Sequence, residues 1–234
     1  MKANKRIMAA AAALLMMLTM ASCGSGSDKD DGKSNSNAAA ANNDEGKGSD
    51  EAKSSRQVTA DEVRGHAETP ASDLEYSEFD DGVLINGYNG SDDIVVIPAE
   101  INGKAVTRIE SYFLRNNTNV LGLKLPASVK EIPDSGLSGQ KSIQVLVAEG
   151  VEKVGESAFV TLPELRIVDF GNSLQSVQPN NFINCGNLES IHLPASYTGD
   201  ILVNYIGNKV TIIGEKGSVA ETFANENGLK FEEG

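Results

Sequence analysis

The 234-residue chain is short of the residues on which most enzyme chemistry depends. It has 2 Cys, 2 His and no Trp, and aromatic residues make up 5%. A disulfide scaffold and a zinc site of the Cys/His kind are therefore effectively excluded. A Ser-His-Asp hydrolase would have to use His66 or His192. Positive charge is also scarce, with 20 Lys+Arg against 33 Asp+Glu and a net charge of −13. Lys2, Lys5 and Arg6 crowd the first six residues, so the remainder is more acidic still. Nucleic-acid binding needs clustered bases and is not expected. Electrostatic docking on anionic lipid is disfavoured for the same reason. No Walker loop, dinucleotide fingerprint, His-Glu-x-x-His or Gly-x-Ser-x-Gly occurs. The pairs Asp80-Asp81 and Asp92-Asp93 fall at turn positions, where short polar side chains serve the backbone. No catalytic site, cofactor or metal is expected.

Ile7 to Ala21 is apolar apart from Thr19 and follows the basic residues. That length suits the h-region of an export signal and falls short of the ~20 residues of a membrane span. The segment ends Met20-Ala21-Ser22-Cys23, which resembles the lipobox of bacterial lipoproteins, with Met20 in place of the usual Leu. The resemblance implies cleavage after residue 22 and a diacylglyceryl group on Cys23. Acyl chains gain about 0.8 kcal/mol per buried CH₂, so two or more make a stable anchor. Residues 23–72 then read as a tether. Gly24-Ser25-Gly26-Ser27-Asp28 opens it, and Ser, Asn, Ala, Gly, Asp and Lys dominate to Arg56. Such a composition cannot bury enough to offset its ordering entropy. Its root-mean-square reach as a flexible coil is about 40 Å. Within it, Thr59 followed by Glu62 predicts the start of a short helix turn over Val58 to His66.

Residues 73–234 form the folded domain, and self-similarity organises it. Val120, Leu123, Leu125, Val129 and Ile132 sit at offsets 0, 3, 5, 9 and 12. Leu165, Val168, Phe170, Leu174 and Val177 repeat them, and Leu188, Ile191, Leu193 and Tyr197 repeat the first four. In the intervening unit Val145, Val147, Val151 and Val154 are placed at offsets 3, 5, 9 and 12. An earlier unit supplies Val95, Ile97, Val106 and Ile109 around an insertion at Asn102-Gly103. A further ladder runs Leu114, Leu137, Phe159, Phe182. Alternation at offsets 3 to 5 predicts a short strand. The prolines of Ile97-Pro98, Leu125-Pro126 and Leu193-Pro194 close it, because Pro has no N–H to donate.

Units of this form, best seen in Phe182-Ile183-Asn184-Cys185-Gly186-Asn187-Leu188-Glu189-Ser190-Ile191-His192-Leu193-Pro194, resemble the BspA-like leucine-rich repeats of bacterial surface proteins. The resemblance spans residues 92–212, about five repeats. Asn117, Gln140 and Leu162 depart from it at the position of Cys185, and Asp200 departs in the last unit. It implies a mainly β solenoid, with Cys185 a buried small hydrophobe. The hairpin signal Asp80-Asp81-Gly82 between Glu75–Phe79 and Val83–Asn86 predicts an N-terminal cap. Ser218 with Glu221, then Asn227-Gly228 and Leu229 to Phe231, predict a C-terminal helix-strand cap over residues 213–234.

With offsets 3 and 5 inward, side chains at offsets 2 and 4 face out. The candidate binding face is Lys124, Gln144, Leu146, Ile167, Asp169, Ser190 and His192, with Leu146 and Ile167 as an apolar patch on a polar sheet. The expectation is a monomeric protein, lipid-anchored through Cys23 on the extracellular face of the cell membrane, that binds proteins or glycans at the surface. The rival reading is an envelope-organising module acting within its own cell. A third is a solute-binding or enzymatic lipoprotein, which would require a polar pocket of several hundred Å³.

Overall fold

The structure, a computed structural model, describes residues 56–197, 206, 207 and 209–234. The leader of residues 1–22, Cys23, the tether as far as residue 55, and Asp200 lie outside the described residues. The first elements are helix α1 (Ala60–Gly65), a 3-10 turn (Ala71–Asp73), and strands β1 (Leu74–Phe79), β2 (Gly82–Tyr88), β3 (Ile94–Val96), β4 (Glu100–Ile101) and β5 (Lys104–Ile109). The repeats proper add β6 (Gly122–Lys124), β7 (Glu131–Ile132), β8 (Val145–Val147), β9 (Lys153–Val154), β10 (Ile167–Asp169), β11 (Ser176–Val177) and β12 (Ser190–His192). The chain ends with β13 (Thr211–Gly214), helix α2 (Val219–Glu226) and β14 (Lys230–Glu233).

The architecture is a β-solenoid. Its main sheet has seven parallel strands in the order β14-β13-β12-β10-β8-β6-β3. A second wall is the three-stranded parallel sheet β11-β9-β7. Between them lies one continuous core. The ladders Val129, Val151, Leu174, Tyr197 and Leu114, Leu137, Phe159, Phe182 are buried in it throughout. Phe159 stacks on Phe182 with ring centroids 5.2 Å apart. Strand pairing continues one residue past β3, β6, β8, β10 and β12, as in Leu125 N donating to Val147 O at 2.9 Å, and then Pro126 ends it.

The repeat is written in the backbone as well. Tyr112, Ser135, Ser157 and Asn180 all adopt left-handed φ, between 56 and 65°, at steps of 23, 22 and 23 residues. Ser135, Ser157 and Asn180 each follow a strand of the second wall, and Tyr112 follows β5 in the same way. The insertion at Asn102-Gly103 is the tip of the antiparallel β4–β5 hairpin, and both residues have positive φ as a two-residue turn demands. Strands β1 and β2 pair through the Asp80-Asp81 turn, and β2 joins β5 in a four-stranded sheet. At the other end the Ser218 hydroxyl accepts from Glu221 N, and α2 places Ala220 and Ala224 in the core.

One register expectation is overturned. Leu146, not Val145, aligns with Leu123 and Val168. The inward residues of this unit are Ile143, Leu146 and Ala148, at the same 0, 3, 5 offsets as its neighbours. Leu146 is fully buried in the core, and Val145 and Val147 point outward. The missing residue of this unit therefore falls after the strand, between Ala148 and Val151.

Candidate functional site

The outward face of the main sheet is not bare. Arg56 to His66, expected from the sequence to belong to the tether, lies across it. Thr59 caps α1 by accepting from Glu62 N at 3.2 Å, as its sequence predicts. Val58 and Val63 are fully buried against Ile94, Val96, Leu121, Val145, Val147 and Ile167. This cluster is distinct from the repeat core on the other side of the sheet. Burial of a valine is worth about 1.5–3 kcal/mol, so two such residues make a modest anchor.

Polar contacts complete the seat. The buried Gln144 amide donates to Arg56 O at 2.8 Å and accepts from Val58 N at 3.1 Å. A side chain thus takes the place of a neighbouring strand. Arg166 donates to Val58 O at 3.2 Å and Lys124 to Arg64 O at 3.3 Å. Arg64 pairs with Asp169, with Glu149 at 2.9 Å and with Asp61 at 3.0 Å. Arg56 pairs with Asp93 and Glu62.

Asp169 is the electrostatic centre of the face. Burial alone would raise its pKa, but the hydrogen bond with His192, the Gly171 N–H, and the charges of His192 and Arg64 outweigh that and hold it below the ordinary aspartate value. The same neighbourhood, Glu149 and Asp169 foremost, raises the Arg64 guanidinium against the opposing effect of burial.

The seven candidate residues therefore divide. Gln144 and Asp169 lie beneath the N-terminal segment, Lys124 holds its helix, and Ile167 borders its valines. Ser190 and His192 continue the face beyond it and remain partly exposed. Leu146 does not belong to the face at all. Val145 and Val147 were missed because β8 is buried on both sides, so its sequence shows an unbroken apolar run instead of alternation.

Chemistry elsewhere is sparse. Among the described residues, no group of three or more His, Cys, Asp and Glu is placed to hold a metal ion. No helix among them is long and apolar enough to cross a membrane. Cys185 is a buried thiol whose Sγ donates to Phe159 O at 3.3 Å, and burial pushes its pKa up to about 11. A depression of about 730 Å³ is lined by Asn184, Cys185, Asn187, Glu189 and Lys209.

A stack of short parallel strands around one core, with a face that holds a polypeptide, defines a repeat solenoid of the leucine-rich kind. The family model described as "BspA type Leucine rich repeat region" matches residues 96–214 in six copies, one more than the sequence spacing counted. The chain belongs to that family. Among solved structures it is similar to a T. pallidum leucine rich repeat protein, at 20% identity and a TM-score of 0.46, over 71% of this chain and 98% of that one. It is also similar to a leucine rich cell surface protein of Faecalibacterium prausnitzii, at 20% identity and a TM-score of 0.48, over 64% of this chain and 45% of that one. A third similarity is to the pneumococcal vaccine antigen PcpA, at 12% identity and a TM-score of 0.42, over 71% of this chain and 49% of that one. No curated protein matches the chain.

Proposed function

We propose that the chain is a non-enzymatic binding protein, displayed at the cell surface by a lipid anchor on Cys23, that takes protein or glycan partners on the outward face of its repeat sheet. The observation carrying this reading is that the face already holds a polypeptide, through buried valines, a backbone-reading glutamine and a buried carboxylate. Family membership supports a binding role, since repeat stacks present extended surfaces instead of pockets. The uncovered part of the face, Ser190, His192, Thr211 and Ile213, is the region a partner would meet first.

The test is binding of the exported chain, residues 23–234, to an array of matrix proteins, glycans and envelope extracts, with a Ser190→Glu/Ile213→Glu variant beside it. Saturable binding that falls at least tenfold in the variant, with an unchanged far-UV spectrum, is expected. Binding that is indifferent to the variant would place function elsewhere. Capture of an envelope protein alone would favour the organising role within the cell. Cys23→Ala is expected to release the protein from the membrane fraction, and persistence there would remove the anchor from the proposal.

A further inference from the structure

We infer that residues 56–66 are the resident occupant of a polypeptide-binding site, and that the partner this site fits is a peptide of the same chemistry. Such a peptide is extended at its start, places a β-branched apolar residue beside Gln144, and continues into a helical turn bearing a second apolar residue and an arginine. The inference rests on the binding role proposed above and specifies where on the face it acts and what it accepts.

Four observations carry it. First, Gln144 contacts only backbone atoms of the segment, a carbonyl at Arg56 and an N–H at Val58, and any extended peptide offers that pair. Second, the segment is separable from the fold. Its valines belong to a cluster that shares no residue with the repeat core, so its departure leaves that core whole. Third, the face is shaped for a visitor. A Cβ on Gly122 would stand 2.5 Å from Val63 Cγ2, so the glycine leaves the hollow that the valine fills. Fourth, β3 and β8 are apolar on both sides, so a vacated face would expose Ile94, Val96, Val145 and Val147 together. A patch of that kind on a soluble domain marks a contact surface. Asp169, buried and charged, would then lose Arg64 and need another cation, which the arginine of the incoming peptide supplies.

A segment tethered next to its own site competes at an effective concentration in the mM range. The wild-type protein is therefore expected to bind a free copy of the segment at least tenfold more weakly than a variant whose own segment cannot dock. The experiment uses the exported chain, residues 23–234, and a fluorescein-labelled synthetic peptide of residues 55–68, read by anisotropy. Val58→Asp/Val63→Asp is expected to unseat the resident segment and to gain saturable peptide binding. Adding Gly122→Val, which fills the hollow from the outward side of β6, is expected to remove that binding. A folded Val58→Asp/Val63→Asp variant that binds no peptide, or binds it no better than wild type, would overturn the inference.

Native-state hydrogen exchange on the wild-type protein keeps the inference testable if the variant does not fold. The Val58 amide is expected to exchange through a local opening, faster than those of Leu146 and Val168. Equal protection would mean that the segment leaves only when the whole domain unfolds, and would overturn the inference. Peptide binding without any partner on the array would sink the surface-partner reading alone. Array binding by a chain whose released face ignores the peptide would sink the resident occupant alone.

Discussion

Asp169 Oδ1 lies 2.8 Å from His192 Nδ1, so a carboxylate on β10 is tied to the imidazole one strand further along the sheet. Its other oxygen takes Arg64 from the segment that crosses the face. Because the folded carboxyl titrates below its ordinary value of 3.8, its contribution is fully present above that value. It is lost as pH falls through the lower, folded value. Asp169→Asn is therefore expected to cost about 1–3 kcal/mol near neutral pH. The gap between variant and wild type in urea titrations should close as the pH drops below 3.8. Arg64, His192, Asp61 and Glu149 are the charged or titratable neighbours, and Glu149→Gln run in parallel separates their share. A gap that does not change with pH would exclude this role for the carboxylate.

The two faces of β8 should respond differently to substitution. Leu146→Ala opens a cavity in the repeat core and is expected to cost about 2–5 kcal/mol. Val147→Ser changes only the outward cluster, and its effect should fall mainly on protection of the Val58 amide. Comparing urea midpoints with hydrogen exchange distinguishes the two, and equal losses of global stability would contradict the register found here.

Cys185 should behave as an inert hydrophobe. With its pKa near 11, roughly a thousandth of the thiol is ionised at pH 8. In a Cys23→Ala background, alkylation by iodoacetamide at pH 8 is expected to be at least a hundredfold slower than for a free cysteine. The rate should become ordinary in denaturant, and rapid reaction of the folded chain would point to an accessible thiol.

Asn181 and Ser157 make opposite predictions in adjacent turns. Asn181 is fully buried, accepts from Phe159 N at 3.0 Å, and donates to Gly155 O at 2.9 Å and Gln178 O at 2.8 Å. Asn181→Ala leaves all three unpaired and is expected to cost at least about 2 kcal/mol. Ser157 carries a left-handed backbone without the freedom of glycine, so Ser157→Gly is expected to stabilise by about 0.5–1 kcal/mol. Thermal midpoints measured by circular dichroism read both.

Most of the solenoid was legible because its signals are redundant. Pro126 and Pro194 mark strand ends, and Leu114, Leu137, Phe159 and Phe182 are apolar at positions where a solvated turn would be polar. The failures share one cause. Val145-Leu146-Val147 has no alternation to read, since both faces of β8 are covered, and what covers the outer one lies some eighty residues earlier. The Val58 and Val63 pattern is too short to distinguish a docked segment from linker, and only its Thr59 cap was visible. The role of Gly122 depends on Val63 above it, a contact that no local pattern encodes.

The shortened turn after β8 has a consequence for the identity of the repeats. A Cβ on Gly150 would meet Ala127 Cα at 2.4 Å, so the backbone of that turn presses directly on the preceding unit. The unit that starts at Ile143 therefore seats on the preceding coil only with glycine at position 150, because any side chain there would run into that coil's backbone. The coils share one plan, yet they are not interchangeable bricks. A coil with a side chain at that turn could keep every strand and still fail to seat at that joint.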